Sequence, residues 1–326
     1  MKSLSREEMA ELLKSLSGKI LITTHKNPDG DAIGSSVGWR NFLKKLGKNV
    51  KVILRDRIPY FFDFIPGIND VEVREEISEE FDWVIITDVS EAKRTGFESL
   101  PAKRSIVIDH HITAEPFSDY YIVEPEISST CELSYHIMKL IDESLIDRNV
   151  ALPIYTGIVT DTGSFSYTNT SPETHHVASE LIKRGAEPYL VRRNIFERNR
   201  INRFKLLELV LRTLEFALEG RVAHITVYKR FLEETKAYPE ETEGFINYPR
   251  SIEGVEVAVF FKEIEEGKWK VSLRSKGSVN VAFVAKRFGG GGHVMAAGFE
   301  TEGNLEDIKK DLFRELQVEF DKISKL

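Results

Sequence analysis

The feature that most restricts the fold of this chain is the alternation of short apolar runs with amphipathic stretches in its first half. Runs rich in Val, Ile and Leu occupy residues 19–25, 49–55, 82–88 and 104–110, and residues 32–46 have helical periodicity. Apolar runs of this length are typical of buried strands, and helical stretches between them indicate parallel strands covered by helices. We therefore predict an α/β fold with a mostly parallel sheet.

The second half of the sequence predicts a helical segment followed by a second group of strands. Residues 130–214 have a helical pattern, in which Ser171-Pro172 marks a helix start and Gly185 a helix end. β-like runs return after residue 220 and include a hairpin turn at 265–268, and an amphipathic helix begins at about Leu305.

The chain is too long for one ordinary core, which predicts two domains. A smaller α/β domain would follow the first domain and a helical linker. The predicted bounds are 1–190 for the first domain, 191–218 for the linker and 219–326 for the second domain.

Composition narrows the cellular setting and the partners. The single cysteine, Cys131, excludes a disulfide within the chain and a cysteine-based zinc site, and it fits a reducing cytoplasm. The first residues lack the apolar core of a signal peptide, and no run approaches the ~20 apolar residues of a membrane helix. The net charge of −7 argues against binding to long duplex nucleic acid. We expect a cytoplasmic protein that does not bind a membrane.

Polar side chains cluster where the predicted strands end. A single Asp or His at such a place is most often a turn or cap residue, but convergence from four separate segments is hard to explain in that way. In parallel sheets, ligands bind at the carboxyl ends of the strands. The residues, called the Asp–His cluster below, are His25, Asp29, Asp31, Asp88, Asp109, His110, His111 and Asp161.

The chemistry of the Asp–His cluster predicts a metal site. Carboxylates this close would repel each other unless a cation lay between them. Oxygen ligands with some imidazole suit Mn²⁺ or Mg²⁺, with Fe²⁺ or Co²⁺ as alternatives. Two metals about 3.5–4 Å apart, bridged by a carboxylate, form a standard arrangement for cleaving phosphate esters. We predict two Mn²⁺ ions and a phosphoesterase.

These motifs resemble those of the DHH phosphoesterase superfamily. The matching segments are HKNPDGD at 25–31, Asp88, DHH at 109–111 and Asp161. The glycine-rich stretch FGGGGHVMAAG, preceded by SLRSK, is similar to the DHH-associated C-terminal domain. The order and spacing of the motifs match over essentially the whole chain.

The resemblance implies a role for each residue of the Asp–His cluster. It places one metal on His25, Asp29 and Asp88. It places the second on Asp31, Asp88, His110 and Asp161, with Asp88 bridging. Asp109 would orient the site, and His111 would face the substrate and protonate the leaving oxygen.

The second domain is expected to supply phosphate-binding groups. Four ligand aspartates and two divalent cations leave the metal site roughly neutral, so an anionic substrate needs further cations. Arg274 offers a bidentate fork, and a helix beginning at His293 would direct its N-terminus at the anion. Glycines let the backbone approach a phosphate closely. The predicted substrate-binding residues are Arg274, Ser275, Lys276, Asn280, Gly290, Gly291, Gly292 and His293.

The linker carries a local basic run in an acidic protein. The favoured interpretation is a solvated helix face. The alternative is that some of these side chains attract the substrate, in which case neutralising Arg198 and Arg200 would raise KM. The residues are Arg192, Arg193, Arg198, Arg200, Arg203 and Lys205.

The resemblance leaves three functions open. The favoured one is phosphodiesterase action on pApA and other dinucleotides, cyclic di-AMP and very short RNA, giving 5′-mononucleotides. The alternative is a phosphatase for 3′-phosphoadenosine 5′-phosphate (pAp). A nucleotide-binding module without catalysis is disfavoured because none of the motif residues is missing. Since relatives are often dimers, the resemblance also allows a homodimer.

Overall fold

The elements of the chain fall into two units, Met1–Arg198 and Asn199–Leu326. The computed structural model describes residues 1–112, 114–115 and 117–323. Of the segment predicted as a linker, the part up to Arg198 belongs to the first unit and the part from Asn199 belongs to the second. Among the described residues, no helix combines the length and apolar character needed to cross a bilayer.

A parallel sheet of seven strands forms the centre of the first unit, in the order β1-β7-β6-β5-β2-β3-β4. This confirms the predicted mostly parallel sheet. The four apolar runs correspond to β2, β3, β5 and β6, whereas the three shortest strands were not predicted. The strands are β1 (Lys2–Ser3), β2 (Lys19–Thr23), β3 (Asn49–Leu54), β4 (Val71–Val73), β5 (Phe81–Thr87), β6 (Ala102–Asp109) and β7 (Tyr120–Val123).

Among the described residues, six α-helices accompany this sheet, and their starts follow the capping chemistry of the sequence. Ser171 caps the fifth helix and Pro172 is its first residue, as predicted, and the left-handed Gly185 follows its end. The helices are α1 (Arg6–Ser15), α2 (Gly30–Lys45), α3 (Thr130–Asp142), α4 (Arg148–Asp161), α5 (Pro172–Lys183) and α6 (Pro188–Ile195).

Glycines bring α2, α3 and α4 close together behind the strand ends. A Cβ at Gly34 would lie 2.5 Å from the carbonyl oxygen of Pro153 and 2.9 Å from Sγ of Cys131. A Cβ at Gly157 would lie 2.2 Å from the same Sγ and 2.9 Å from Oδ1 of Asp31. The three helices can therefore pack at this distance only where side chains are absent.

The order of the strands contains a switch point between β2 and β5. From β2 the chain extends the sheet to β3 and β4 on one side, and then crosses to β5 and β6 on the other. In open parallel sheets, the crevice at such a switch point is where ligands bind. His25 comes just after β2 and Asp88 just after β5, so the topology brings these two residues to the same crevice.

A mixed sheet of six strands forms the centre of the second unit, in the order β12-β13-β11-β10-β9-β8. The predicted hairpin at 265–268 is confirmed, because β10 and β11 pair antiparallel across it. The strands are β8 (Glu215–Ala217), β9 (Val222–Val227), β10 (Val257–Glu265), β11 (Lys268–Ser275), β12 (Gly291–His293) and β13 (Ala296–Glu302).

Five α-helices are found among the described residues of the second unit, and the last begins at Leu305 as predicted. Its apolar face, which includes Leu312, Leu316 and Phe320, packs into the core of the sheet. The helices are α7 (Ile201–Leu211), α8 (Lys229–Thr235), α9 (Asn247–Arg250), α10 (Val281–Arg287) and α11 (Leu305–Ile323).

Two local predictions for this unit are wrong. Residues 215–217, predicted as helical, form β8, which pairs antiparallel with β9. The helix predicted to begin at His293 is instead a hairpin, in which β12 pairs with β13 across a two-residue turn. The glycines explain the hairpin, since a Cβ at Gly290 would lie 2.1 Å from the carbonyl oxygen of Gly298.

Candidate metal centre

The loop after β2 places three residues of the Asp–His cluster. Nδ1 of His25 lies 2.8 Å from the carbonyl oxygen of Lys26, so the ring donates there and its Nε2 is left to face the crevice. Asp29 is the N-cap of α2, and its Oδ1 accepts from the N–H groups of Asp31 and Ala32 at 3.0 and 3.1 Å. Asp31 is then the second residue of α2 and is buried.

Asp88 lies at the centre of the cluster. Its Oδ2 is 3.4 Å from Nε2 of His25, and its Oδ1 is 3.8 Å from Nε2 of His110 and 3.6 Å from Nδ1 of His111. Its backbone is in the left-handed region, with φ of 60°. A non-glycine residue in that conformation costs about 1–3 kcal/mol, although Asp is among the residues that adopt it most readily.

A second group of ligand atoms forms around His110. Nδ1 of this ring lies 3.3 Å from the carbonyl oxygen of Ile127, which directs Nε2 into the cluster. Nε2 is 3.8 Å from Oδ2 of Asp31 and 3.6 Å from Oδ2 of Asp161, which ends α4. The sequence separation between Asp31, His110 and Asp161 is large, so only the fold brings them together.

Two groups of donor atoms correspond to the two predicted metal positions, and a third group joins Asp88 to Asp109 and His111. Within each position, all the donor atoms lie within 4.8 Å of one another. Asp88 belongs to the first position and also lies 3.8 Å from His110 of the second. The first position comprises His25, Asp29 and Asp88, and the second comprises Asp31, His110 and Asp161.

Asp109 and His111 form a buried pair beside these positions. Oδ1 of Asp109 is 2.7 Å from Nδ1 of His111, and Oδ2 has no hydrogen-bond partner among the described residues. Burial lowers the pKa of His111, but the Asp109 carboxylate outweighs burial and raises it to about 9. Conversely, burial raises the pKa of Asp109, and the charge of His111 more than offsets this so that the pKa is lowered.

The carboxylates of the cluster need a positive charge. Burial and the neighbouring carboxylates of Asp88 and Asp161 raise the pKa of Asp31 well above its usual range. Asp88 is ionised instead, because its hydrogen bond with His25 and the nearby histidines outweigh burial and lower its pKa. A divalent cation beside Asp31 would remove the repulsion, and the oxygen and imidazole donors suit such an ion. The residues present therefore fit a metal site.

The fold adds two residues to the site that the sequence patterns did not indicate. Thr130, at the start of α3, donates from Oγ1 to Oδ1 of Asp88 at 3.1 Å. Arg94 lies close enough to His25 and His111 for its charge to act on both rings, where it opposes the net rise in pKa that their carboxylate neighbours produce. Its carbonyl oxygen accepts from the N–H of Lys26 at 2.7 Å, which ties its backbone to the loop after β2.

The second unit places two of the predicted substrate-binding residues on one face of its sheet. Ala296 of β13 is directly opposite Arg274 of β11 and directly opposite His293 of β12. Directly opposite residues project from the same face, so Arg274 and His293 lie two strands apart, about 10 Å, on one face. This arrangement could hold an anionic group.

The other predicted substrate-binding residues have structural contacts within the second unit. Ser275 is buried, and its Oγ accepts from the N–H groups of Gly277 and Val279. Nζ of Lys276 donates to the carbonyl oxygen of Ile252 at 2.9 Å. Asn280 is the N-cap of α10. These contacts shape the loop between β11 and α10.

The three predicted glycine contacts lie in or next to the hairpin. Gly290 precedes β12, and Gly291 and Gly292 belong to it. Gly292 has a φ of 140°, and a Cβ there would lie 2.5 Å from the carbonyl oxygen of Ala296. Close strand pairing is therefore sufficient to explain why Gly290 and Gly292 are glycines.

The linker arginines have partners of their own. Arg198 forms a two-point ion pair with Asp63, both within the first unit, with one N–O distance of 2.8 Å. Arg200 pairs with the buried Glu241 at 3.4 Å and stacks on the ring of Tyr238. These contacts are typical of structural side chains, but both arginines lie between α6 and α7 rather than on a helix face. A role of either residue in attracting the substrate stays a prediction.

Comparisons with known proteins agree with the two-unit architecture. Residues 19–158 match the DHH family N-terminal domain, and residues 221–318 match the DHHA1 domain. The chain is 34% identical over 317 residues to the bifunctional oligoribonuclease and PAP phosphatase NrnA of Thermus thermophilus, covering 94% of each protein.

Two further relatives extend the comparison. Identity is 26% over 310 residues to the cyclic-di-AMP phosphodiesterase PdeA of Listeria monocytogenes, covering 90% of this chain and 45% of that protein. A solved structure, an exopolyphosphatase-related protein from Bacteroides fragilis, has a TM-score of 0.85 at 31% identity, covering 98% of this chain and 97% of that one.

Proposed function

Because the chain belongs to the DHH family of phosphoesterases, we propose that it is a metal-dependent phosphodiesterase that hydrolyses short nucleotides to 5′-mononucleotides. The observation that carries this proposal is the convergence of the Asp–His cluster at the switch point of the sheet. Its donor atoms form two candidate metal positions that meet at Asp88. Such a pair of positions suits the cleavage of a phosphate ester.

The proposed cofactor is a pair of divalent ions, with Mn²⁺ favoured and Mg²⁺, Co²⁺ or Fe²⁺ as alternatives. His25, Asp29 and Asp88 would hold one ion, and Asp31, Asp88, His110 and Asp161 the other. When bound, such ions polarise phosphate oxygens and lower the pKa of a coordinating water. The ligand set supports this choice because oxygen donors dominate and thiolate is absent from both groups.

The Asp109–His111 pair is proposed to hold the proton for the leaving oxygen. The carboxylate of Asp109 fixes Nδ1 of His111 and stabilises the charged ring. The other ring nitrogen, Nε2, is then the atom assigned to the substrate. A histidine held in one orientation can donate to a departing alkoxide without rotating.

Each unit contains cationic side chains that are proposed to bind a phosphate group. Arg94 is the candidate in the first unit, and Arg274 and His293 are the candidates in the second. Guanidinium groups suit phosphate because their N–H fork matches two of its oxygens. Ser275, Lys276, Asn280 and the glycines Gly290, Gly291 and Gly292 stay predictions as substrate contacts.

The proposed substrates are oligoribonucleotides of a few residues, pApA and other dinucleotides, and cyclic di-AMP. The name of the Thermus relative, which matches over nearly its full length, supports the oligoribonuclease activity. The Listeria relative supports the cyclic dinucleotide, although the chain spans under half of that protein. The buried Cys131, which is not in a disulfide, supports a cytoplasmic location.

A second activity, removal of the 3′-phosphate of pAp, is proposed for the same site. The Thermus relative is named for both activities, and both reactions hydrolyse a phosphate ester. One metal site can therefore serve both, because the leaving group in each reaction is the 3′-oxygen of a 5′-nucleotide. The two substrates differ in whether the attacked phosphate also carries a second nucleoside.

The test is a release assay with Mn²⁺ on pApA, cyclic di-AMP, cyclic di-GMP, pAp and a five-nucleotide RNA, with products separated by chromatography. We expect 5′-mononucleotides from pApA and from the RNA, and AMP with phosphate from pAp. A 30-base-pair duplex is the negative control. Cleavage of none of the five compounds by folded protein would contradict the proposal and favour a binding module.

A further inference from the structure

Thr130, the first residue of α3, contacts one carboxylate of each candidate metal position. Its Oγ1 donates to Oδ1 of Asp88 at 3.1 Å. Its backbone N–H donates to Oδ2 of Asp31 at 2.7 Å, and the N–H of Cys131 donates to Oδ1 of Asp31 at 2.9 Å. Thr130 is fully buried. One residue therefore holds a carboxylate of each position.

The start of α3 explains why these donors are available. Ser129 is the N-cap, and its Oγ accepts from the N–H of Glu132 at 3.0 Å. The first N–H groups of a helix have no acceptor within the helix. Those of Thr130 and Cys131 therefore bind the carboxylate of Asp31, where the positive end of the helix dipole also favours a negative charge.

The Thr130 hydroxyl bonds outside its own helix. A threonine at a helix start commonly bonds to backbone atoms nearby in sequence. Thr130 instead bonds to a carboxylate 42 residues away. The bond engages the oxygen of Asp88 that faces His110, while the other oxygen faces His25. The bond from the Thr130 hydroxyl therefore favours one orientation of the Asp88 carboxylate about its terminal side-chain bond.

We infer that Thr130 is a positioning residue for metal binding, which sets the carboxylate of Asp88 so that its two oxygens face different metal positions. Its N–H holds Asp31 in the second position at the same time. The inference rests on the proposed metal site. Groups that orient metal ligands typically change metal affinity or activity by 10–100-fold when they are removed.

The experiment is a Mn²⁺ titration of chelator-treated protein, followed by the electron paramagnetic resonance signal of free Mn²⁺. It yields the number of ions bound and their dissociation constants without any substrate. Thr130→Val keeps the shape and removes the hydroxyl, whereas Thr130→Ser keeps the hydroxyl and removes the methyl. Thr156→Val is the matched control, because Thr156 is equally buried and its hydroxyl donates to the carbonyl oxygen of Leu152.

We expect Thr130→Val to weaken binding of at least one Mn²⁺ by 10-fold or more. Thr130→Ser and Thr156→Val are expected to stay within about 3-fold of wild type. Equal isotherms for wild type and Thr130→Val would overturn the inference, as would a loss in Thr130→Ser as large as that in Thr130→Val.

A third variant covers the case in which valine is not tolerated beside the carboxylate. Thr130→Ala and Thr130→Ser both lack the methyl, so the difference between their Mn²⁺ isotherms isolates the hydroxyl. Circular dichroism of the metal-free proteins checks the fold. If both variants without the hydroxyl unfold while Thr130→Ser does not, the hydroxyl serves folding and the inference fails. Wild-type protein that binds no Mn²⁺ would instead refute the proposed metal site.

Discussion

At the scale of single residues, the backbone conformation of Asp88 determines where its carboxylate lies in the site. Its left-handed backbone directly follows β5, and its N–H donates to the carbonyl oxygen of Ile108 on the neighbouring strand. The side chain then reaches the crevice between His25 and His110. Strain of this kind persists only where the surrounding structure fixes it, as the strand pairing does here.

The Asp109–His111 pair gives the first residue-scale prediction. Asp109→Asn keeps the shape of the side chain but removes the charge that holds His111 protonated, so we expect kcat on pApA to fall about 100-fold. KM and Mn²⁺ affinity are expected to change less than 3-fold, because Asp109 is not assigned to a metal. Steady-state kinetics measure kcat and KM, and a metal titration measures the Mn²⁺ affinity. A loss confined to KM would contradict this role.

Arg94 gives the second residue-scale prediction. If its guanidinium binds a substrate phosphate, Arg94→Gln should raise KM for pApA about 10-fold or more, and Arg94→Lys should raise it less because the charge remains. Arg104→Gln is the matched control, since Arg104 is exposed on the early part of β6 and lies over the ring of Trp83. Similar KM values for Arg94→Gln and the control would exclude the role.

The sequence patterns did not indicate Thr130 and Arg94, because the contacts that bring these residues to the site are distant in sequence. The Asp and His residues other than Asp161 were predicted because they lie within a few positions of the end of an apolar run. Thr130 follows two serines at a helix start, where it is typical of a cap, and its partner Asp31 is 99 residues away. Arg94 lies in a short turn with no periodic pattern. Contacts of such long range become visible only in the fold.

At the scale of elements, the packing of α2, α3 and α4 depends on glycines. We expect Gly157→Ala to destabilise the protein by about 1–3 kcal/mol and to reduce activity, since the new Cβ would meet Sγ of Cys131 and Oδ1 of Asp31. Urea unfolding and pApA hydrolysis measure the two effects.

The double variant Gly157→Ala with Cys131→Ala tests the cause of that destabilisation. Removing Sγ leaves the nearest Cys131 atom, its Cβ, 3.0 Å from the added methyl, so part of the stability should return. Cys131→Ala alone is the control for the lost sulfur. Additive effects of the two substitutions would show that this contact is not the origin.

The sheet of the second unit gives a pH prediction through His224 of β9. Burial and the charge of Lys309 lower its pKa to about 4, against the opposing charges of Glu215 and Glu306. Because the folded-state pKa is below the unfolded value, the unfolded state binds more protons as pH falls below about 6.5. Stability is therefore complete above pH 6.5 and declines toward pH 4, by on the order of 3 kcal/mol.

Thermal melts between pH 7.5 and 4.5 measure this decline. His224→Phe should flatten it, since the ring packs against Phe261 and Phe313 and a phenyl group preserves that packing. His176→Gln, on the exposed side of α5, is the control and should leave the slope unchanged. If the melting temperatures of wild type and His224→Phe fall equally between pH 7.5 and 4.5, then His224 is not the group that causes the decline.

The glycine run shows why an element can be mistaken from sequence alone. Four successive glycines permit a loop, a helix start or a tightly paired strand, and the local pattern does not choose between them. Pairing with β13 fixes the strand conformation of this segment, since Gly291 pairs with Gly298 and His293 with Ala296. By contrast, the strands before His25 and Asp88 were predictable, because a fully buried parallel strand requires a continuous apolar run.

At the scale of the whole molecule, the sequence predicted the class of fold and the family better than the number of strands. Composition and alternation sufficed for the parallel sheet, and the motifs sufficed for the resemblance that the comparisons confirm. The edge strand β1 has two residues and β4 has three, and strands this short carry no periodicity. Their position depends on neighbouring strands that must form first.

The proposed activity requires a metal ion held by Asp88, and this requirement can be tested directly. Chelator-treated enzyme should release no AMP from pApA, and added Mn²⁺ should restore release in wild type. Asp88→Asn, which keeps the side-chain shape and tolerates the left-handed backbone, should fold but remain at least 10³-fold less active at any Mn²⁺ concentration. Full activity of the metal-free enzyme, or near wild-type activity of Asp88→Asn, would contradict the account.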